Sequence, residues 1–452
     1  MWKIKHKGLI FVLISLIPIL IEYFNPEGKA NLLFFITNFV IVFYSLVRVF
    51  EYIESANFFN TNTFFYIFNF FFLGVAPLYQ YRQDINIWGG APIPDDIFIY
   101  TNVICIFIFL CYDIFYYSFI NKPTRTFKFI NRYLISKIDS YDKKISFKLF
   151  ILSFLAAAFM IYMNRDSLVL LFFREVRVEG VRLQTTTQID SSVIKLFTSF
   201  LIRPIPLIAL MYFKFSGVKN RLLEVILWVF ALISNFPLAL ARFYFAGLYL
   251  PLVFIYLKKI VSKRYRVSLM IIFGLLFVFP FLNQGRTTTN IEEFTIGLNM
   301  DMFVEGHFDN YQNFARVLQY NTITYGKQLL GVLLFFVPRS IYPTKAIGSG
   351  GFIAEEYNLS FDHISMNFFG EGFLNFGIIG IILFAIILAS LNSWFDKLAN
   401  MTKYGKSAQF KVMYYIYISM MIFNIRGDLI SSVAFTTGLI LCSGLVFAII
   451  KN

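Results

Sequence analysis

Long apolar runs separated by short polar segments make up most of this chain. Most of the runs are close to the roughly 17–25 residues that an α-helix needs to cross about 30 Å of hydrocarbon. They predict an all-α integral membrane protein with about twelve transmembrane helices, in which residues 1–452 form a single polytopic domain. The predicted helices are 8–24, 31–50, 63–81, 97–120, 149–163, 193–213, 222–239, 243–257, 267–283, 376–393, 412–424 and 433–450.

The composition agrees with this pattern. Hydrophobic residues make up 58% of the chain and charged residues 15%, and the mean hydropathy is +0.67. A soluble domain carries about a quarter charged residues, so the composition excludes that class. The cysteines Cys105, Cys111 and Cys442 all lie inside apolar runs, which predicts neither a disulfide framework nor a cysteine metal site.

Clusters of basic residues give the predicted orientation. The net charge is +14, but basic residues in a membrane protein concentrate in cytoplasmic loops, so this charge does not indicate nucleic-acid binding. The basic segments 121–148 and 394–411 are predicted to lie inside, with both termini in the cytoplasm. The loops 164–192 and 284–375 are then external. The second loop contains the run LLGVLLFFV, which is too short to span and predicts a re-entrant or interfacial segment.

Arginine dominates the cations that this orientation places outside or in the outer half of the membrane. Lysine would satisfy the orientation rule equally well, so these arginines need another reason, and a bidentate grip on phosphate or carboxylate is the usual one. The pattern predicts an outer face that binds an anion. Two simpler interpretations stand beside it. Arg174 and Arg177 also fit an interfacial amphipathic helix, and Arg203 and Arg242 also fit ion pairs with acids of other loops.

The polar stretch 299–380 concentrates the residues that can do chemistry. These are His307, Asp309, Arg339, Lys345, His363 and Glu371. The histidines are not at the spacing of metal ligands, and no dinucleotide or phosphate-loop fingerprint occurs, so neither a metal nor a cofactor is predicted. Gly348, Gly350 and Gly351 form a cluster whose backbone N–H groups can cradle phosphate oxygens.

Four short motifs stand in the long loop and at the ends of predicted helices. They are Asn235-Phe-Pro237 to Arg242-Phe243, Gly306 to Asp309 (GHFD), Pro338 to Lys345 (PRSIYPTK), and Gly370-Glu371-Gly372 to Gly380. With the helix number and the single large external loop, they resemble the Wzy-type polymerases of bacteria, which join oligosaccharide repeat units into O-antigen or capsule. The chain has Lys345-Ala346 where this family often has Lys-Pro.

The resemblance implies a type C-like membrane glycosyltransferase in the bacterial inner membrane that works at its outer face without a metal or cofactor. Its donor and acceptor would both be undecaprenyl-diphosphate-linked oligosaccharides, and the diphosphate of the donor would be the leaving group. A chain-length regulator and a flippase would be its partner proteins. Two other functions stay open, namely a flippase or transporter of lipid-linked oligosaccharides and an O-antigen ligase-like glycosyltransferase.

The expected roles of individual residues follow from this chemistry. Fixed guanidinium groups can stabilise the charge that develops on a departing diphosphate, and an acceptor hydroxyl needs a base within hydrogen-bond reach. The predicted diphosphate- and glycan-binding residues are Arg177, Arg182, Arg242, Arg286, Arg339 and Lys345. The predicted base is one of Glu371, Asp309 and His363, and Glu371 fits a simple helix cap equally well.

Overall fold

The computed structural model describes residues 19–20, 22–54, 59–122, 143–173, 175–178, 181–184, 197–257, 300–401 and 407–451, and the isolated positions 266, 270, 273, 274 and 277. Helices dominate these residues. They are α1 (Leu32–Glu54), α2 (Thr61–Phe68), α3 (Ala76–Arg82), α4 (Asp95–Ile120), α5 (Lys143–Met163), α6 (Ile205–Phe215), α7 (Arg221–Ser234), α8 (Arg242–Tyr256), α9 (Asn310–Tyr320), α10 (Lys327–Leu333), α11 (Ser349–Glu356), α12 (Phe368–Asn400), α13 (Ala408–Arg426) and α14 (Leu429–Lys451).

Among the described residues, eight helical segments are long and apolar enough to cross a membrane. They are Leu32–Ile53, Thr61–Arg82, Asp95–Ile120, Lys144–Met163, Thr198–Phe215, Arg221–Ala239, Phe368–Asn400 and Leu429–Lys451. Thr61–Arg82 is continuous because a π-helical segment, Asn69–Val75, joins α2 to α3. The chain is therefore a helical membrane protein. Of the predicted helices, 267–283 and most of 8–24 lie outside the described residues.

Two hydrophobic cores meet at α13. The larger core contains residues of α1 to α4, the short helices α9 to α11, and α12. The smaller core contains residues of α5 to α8 and α14. Helix α13 contributes Tyr414 and Met421 to the larger core and Val412 and Met420 to the smaller one. Residues of one helix that differ by such spacings lie on different faces, so α13 is the shared wall between the two halves.

One end of the bundle is closed by a buried carboxylate. Asp396, near the end of α12, accepts hydrogen bonds from Thr61 N at 3.0 Å, Tyr414 Oη at 2.8 Å and Tyr116 Oη at 2.9 Å. These donors belong to α2, α13 and α4, so one carboxylate joins four helices. Because a buried carboxylate is stable only when its oxygens are hydrogen-bonded, this group fixes how the helix ends meet.

The opposite end, which we call the loop end, is covered by residues 300–367. This segment forms two turns of 3₁₀-helix, Met300–Val304 and Gly306–Phe308, followed by α9, α10 and α11. Its central helix α9 is buried from Asn310 to Leu318. Helix α10 and the turn after it agree with the prediction that LLGVLLFFV does not span. The long polar loop is therefore a folded cap on the helix ends.

The interpretation of the segment at Arg177 as an amphipathic helix was wrong. Residues Glu175–Val178 and Val181–Gln184 pair as an antiparallel hairpin, in which Arg177 stands opposite Arg182, and Arg174 lies outside the described residues. Valine at 176, 178 and 181 favours strands, so local sequence explains the hairpin.

Helix α12 has two parts, of which the second agrees with the helix predicted at 376–393 and the first begins at Phe368. Asn367 caps it by accepting a hydrogen bond from Gly370 N at 2.6 Å. The helix is broken at Phe376 and Gly377, where Gly377 has a φ of 63°. The backbones also approach closely there, since a Cβ on Gly380 would lie 1.8 Å from Gly372 O. The polar, glycine-rich start therefore belongs to the helix, and Glu371 lies inside its first turn.

Candidate functional site

Asp309 anchors the cap to the helix bundle. It is fully buried, and its Oδ2 accepts hydrogen bonds from Trp88 Nε1 at 2.9 Å and from Ser365 N at 3.2 Å. Its Oδ1 accepts a hydrogen bond from Ser365 Oγ and pairs with Arg426 Nη2 at 3.3 Å. A carboxylate has about four acceptor positions, so these donors saturate it. Asp309 was one of the predicted bases, and this geometry suits an anchor better than a base.

Glu371 joins the beginnings of two other helices. It is fully buried in the first turn of α12, where Oε2 accepts a hydrogen bond from Ser349 Oγ at 2.6 Å and Oε1 accepts one from Leu429 N at 3.0 Å. Ser349 begins α11 and Leu429 begins α14. The first N–H groups of a helix have no partner within the helix, so an outside carboxylate can satisfy them. Glu371 therefore caps α14 and holds α11, while Asn367 caps its own helix.

Asp428 lies beside Glu371, and the sequence analysis did not select it. It is half-buried in the short turn between α13 and α14. Its Oδ2 accepts a hydrogen bond from Gly350 N, and its Oδ1 accepts one from Ile430 N, each at 3.0 Å. Burial raises the pKa of Asp428 above its ordinary value. Asp428 could have been identified from the sequence as an acid in the short turn between two mostly apolar helices, because acids at such positions are usually paired or functional.

Two carboxylates thus share the N-terminal ends of α11 and α14. They are close enough for the charge of Asp428 to act on Glu371. Gly348 makes room for this arrangement, because a Cβ there would lie 2.4 Å from Asp428 Oδ2. Only Asp428 of this pair is partly exposed. Asp428 is thus the more exposed member of the pair, and Glu371 stays inside the protein.

Arg339 and Lys345 form a pair of cations in the turn after α10. Arg339 Nη1 donates to Lys345 O at 2.7 Å, and Lys345 Nζ donates to Phe335 O at 3.2 Å and Val337 O at 2.6 Å. These partners are backbone carbonyls, and no carboxylate of the described residues pairs with either cation. Burial, together with the charge of Arg339, lowers the pKa of Lys345. Two neighbouring cations without an acid favour an anionic ligand.

An apolar groove of about 130 Å³ begins beside these cations. Its lining residues are Phe197, Phe200, Leu201, Phe335, Phe336, Ala434, Gly438 and Leu441. Phe335 belongs both to the groove and to the cation pair, since its carbonyl accepts the hydrogen bond of Lys345. The groove runs along α14, the helix that Asp428 and Glu371 cap.

Contacts at Gly331 connect the segment that carries the cations to the turn that carries Asp428. Gly331 in α10 lies against both, because a Cβ there would be 3.1 Å from Ala346 Cβ and 3.5 Å from Ile430 Cδ1. Arg339 Nη2 is 3.4 Å from Ala346 O, and Ile430 donates its N–H to Asp428. These contacts link the segment that carries two predicted residues, Arg339 and Lys345, to the turn that carries the unpredicted Asp428, the neighbour of Glu371. We call these four residues and the groove the transfer site.

His363 lies apart from Glu371. Its side chain is 86% exposed, and its Nε2 is 4.0 Å from Asp362 Oδ1. The hydrogen bonds of Glu371 among the described residues go to Ser349 and Leu429 instead. The structure therefore gives no support to the hypothesis that Glu371 orients His363 as a base.

The remaining predicted binding residues are less fully described. Arg242 is the first residue of α8, and Arg177 and Arg182 form a cross-strand pair in the hairpin, but their side chains lie outside the described part of the structure. Arg286 lies outside it entirely. Arg203, at the break before α6, donates from Nε to Ser234 O at 2.9 Å, so it binds a carbonyl at the end of α7.

The arrangement of the transfer site suits one kind of ligand. A long apolar chain fits the groove, an anionic group fits the cations at its edge, and a hydroxyl group near Asp428 can lose its proton to the carboxylate. Comparisons with protein-family models, with curated proteins and with solved structures found no match. The functional conclusion therefore depends on the residues of the chain itself.

Proposed function

We propose that this protein is a membrane glycosyltransferase that joins oligosaccharide repeat units carried on a lipid diphosphate, and so elongates a bacterial polysaccharide such as O-antigen or capsule. The observation that carries the proposal is the pair Arg339 and Lys345, which lacks an acidic partner among the described residues and lies at the edge of an apolar groove. A polyprenyl chain in the groove would bring its diphosphate to these cations.

Asp428 is the proposed base. The acceptor hydroxyl oxygen attacks the anomeric carbon of the donor sugar and its proton passes to the Asp428 carboxylate. The bond from the anomeric carbon to the diphosphate oxygen breaks, and its electron pair leaves with the diphosphate. Arg339 and Lys345 stabilise the charge that develops there. Glu371 positions Asp428, because both carboxylates bind the beginnings of the same two helices.

The proposed setting follows the distribution of lysine and arginine. The loop end would face the periplasm or the cell exterior, and both termini would lie in the cytoplasm of a protein with about twelve spans in the inner membrane. Lipid-linked donor and acceptor, membrane lipid, a chain-length regulator and a flippase are the proposed partners.

The direct test is elongation by the purified protein in lipid vesicles, with a lipid-diphosphate-linked repeat unit as substrate. Arg339→Lys keeps the charge but loses the bidentate fork, so we expect elongation to slow by about tenfold or more. Lys327→Ala is the matched control, because Lys327 is an exposed cation at the start of α10, away from the pair. Normal elongation by folded Arg339→Lys and Lys345→Ala variants would remove the basis of the proposal.

A second measurement separates elongation from transport. In cells that lack this protein, we expect single repeat units at the cell surface and no polymer. Retention of the units at the cytoplasmic face would indicate a flippase instead, and polymer that remains on its carrier lipid would indicate a ligase.

A further inference from the structure

A second cavity at the loop end has a different character from the groove. It has a volume of about 240 Å³ and lies where the loop between α3 and α4 meets α9. Its lining residues are Lys29, Gln80, Tyr81, Asp84, Ile85, Asn86, Pro92, Ile93, Phe98 and Gln312. We call it the polar pocket. Five of these ten residues carry an amide or a charge, and the others are apolar or aromatic, so the pocket offers both polar and apolar contact.

The amide wall of the pocket is held rigidly. Gln80 Nε2 donates to Phe303 O at 2.7 Å and to Phe308 O at 3.0 Å. Gln312 Nε2 donates to Gln80 Oε1 at 3.1 Å and to Ile85 O at 2.8 Å. Because these amides are already fixed by neighbouring atoms, a ligand would not have to order them, which favours binding.

The two charged residues that line the pocket, Lys29 and Asp84, have opposite charges. Lys29 Nζ is 3.3 Å from Asp84 Oδ1 and 2.9 Å from Asp95 Oδ1. Burial opposes the charge on Lys29, but these two carboxylates outweigh it and raise the pKa of Lys29, so the ammonium stays charged. A site in which one cation already faces carboxylates offers little to a free anion, and its ammonium repels a free cation. The pocket therefore favours a neutral polar ligand.

The rim of the pocket keeps hydrogen-bonding capacity. Asp84 has a 78% exposed side chain, and in the described structure its carboxylate is engaged through Oδ1. Its backbone is left-handed, with a φ of 49°, which sets the direction of the side chain. Lys29 has three N–H groups, and two carboxylates account for two of them. The free carboxylate oxygen can accept a hydrogen bond from one hydroxyl group of a ligand. The ammonium beside it can donate a hydrogen bond to a neighbouring hydroxyl group.

We propose that the polar pocket binds one neutral monosaccharide unit of a glycan. The pocket is somewhat smaller than the roughly 300–1,000 Å³ of sites for drug-sized ligands, so it is sized for a single sugar ring. Hydroxyl groups meet Asp84 and Lys29, the fixed amide wall shapes the pocket, and the apolar face of the ring meets Pro92 and Ile93.

The position of the pocket relates it to the transfer site without merging the two. Both sites are connected to the start of α9, since Gln312 lines the pocket and Asp309 pairs with Arg426, two residues before Asp428. A glycan bound here would extend along the loop end. The inference goes beyond the proposed transfer reaction, because a sugar can bind in the pocket without a lipid, a diphosphate or any reaction.

The test is saturation-transfer NMR on the purified full chain in lipid nanodiscs. The probes are glucose, galactose, mannose, rhamnose, N-acetylglucosamine and N-acetylgalactosamine, each titrated separately, with methyl phosphate, whose methyl protons are observable, as the anionic comparison. We expect saturable binding of at least one sugar and none of methyl phosphate at the pocket. Asp84→Asn removes the charged acceptor while keeping a residue that tolerates left-handed backbone, and we expect it to weaken sugar binding by about tenfold.

Three further variants make the result decisive. Pro92→Trp narrows the mouth, and we expect it to abolish binding. Asp362→Asn is the matched control, because Asp362 is an exposed acid in the cap and does not line the pocket. Arg339→Lys is expected to bind the sugar normally, so failure of the transfer proposal and failure of this one can be told apart. The inference is overturned if none of the sugars binds, or if binding is unchanged in both Asp84→Asn and Pro92→Trp.

Discussion

Asp428 Oδ2 accepts a hydrogen bond from the backbone N–H of Gly350 at 3.0 Å, across 78 residues of sequence. The bond ties the end of the α13–α14 turn to the beginning of α11. Gly348, just before α11, lies against the same carboxylate oxygen. The position of the proposed base thus depends on a glycine in the cap.

Replacing Gly348 tests this dependence. In Gly348→Ala the new Cβ would lie 2.4 Å from Asp428 Oδ2, so either the carboxylate or α11 must move. We expect a loss of about 1–3 kcal/mol in the free energy of unfolding and a large loss of elongation. Gly351→Ala is the control, because its Cβ would meet Asp362 O and Ile347 Cδ1 at an ordinary 3.6 Å. Equal behaviour of the two variants would contradict the close contact.

The two carboxylates are expected to differ in their response to amide substitution. Asp428→Asn removes the proposed base, so we expect elongation to fall by about 10²–10⁴-fold in a folded protein. Glu371→Gln keeps an oxygen for Leu429 N and an amide group that can donate to Ser349 Oγ, so we expect a smaller loss of rate. Elongation assays on monodisperse protein, with thermal unfolding as the control for folding, measure both. The reverse order of effects would make Glu371 the base.

The raised pKa of Asp428 predicts a pH dependence. Elongation needs the deprotonated carboxylate, so the rate should fall with decreasing pH at a value above the ordinary aspartate pKa, and this acidic limb should be missing from the residual activity of Asp428→Asn. Because the folded state holds this proton more tightly than the unfolded state, wild-type stability should decrease relative to Asp428→Asn as pH rises from the unfolded to the folded pKa. An acidic limb that is unchanged in the variant would assign it to another group.

Filling the groove tests where the lipid chain binds. Ala434 on α14 lines the groove, and Ala434→Phe would occupy part of its roughly 130 Å³. We expect KM for the lipid-linked substrate to rise by about tenfold or more, since apolar contact in the groove is lost. Leu445→Phe is the control, because Leu445 is exposed on the same helix and does not line the groove. An unchanged KM in Ala434→Phe would exclude the groove as the lipid site.

Hydropathy predicted the apolar centres of the helices well and their ends less well. The predicted helix 97–120 begins at Asp95 in the structure, and the helix predicted at 376–393 is preceded by another helical part that runs from Phe368 to the break at Phe376 and Gly377. In both cases the first turn contains polar or small residues that an apolar pattern does not count. The start of α12 depends on the side-chain cap from Asn367. The break at Gly377 depends on contacts with the segment around Ile323 and Gly326, which sequence alone does not bring next to it.

The sequence predicted only part of the site, because some of its contacts are local in sequence and others are not. Arg339 and Lys345 lie in one short turn with Pro338 and Pro343, so their proximity is local and the motif reveals it. The partners of Glu371 are not local, since Leu429 is 58 residues away in sequence. In the sequence, Asp428 is an ordinary acid before a helix. Its role becomes visible only in the fold, which packs α11 and α12 against it.

The shared position of α13 has a mechanical consequence. The two faces of α13 pack into separate cores. A sliding motion between the two halves of the molecule would therefore have to rotate this helix about its axis or break the packing of one face. Arg426, its last residue, grips the cap through His307 O at 2.7 Å, and Asp428 follows two residues later. Helix α13 therefore connects the packing between the two cores to the turn that carries Asp428.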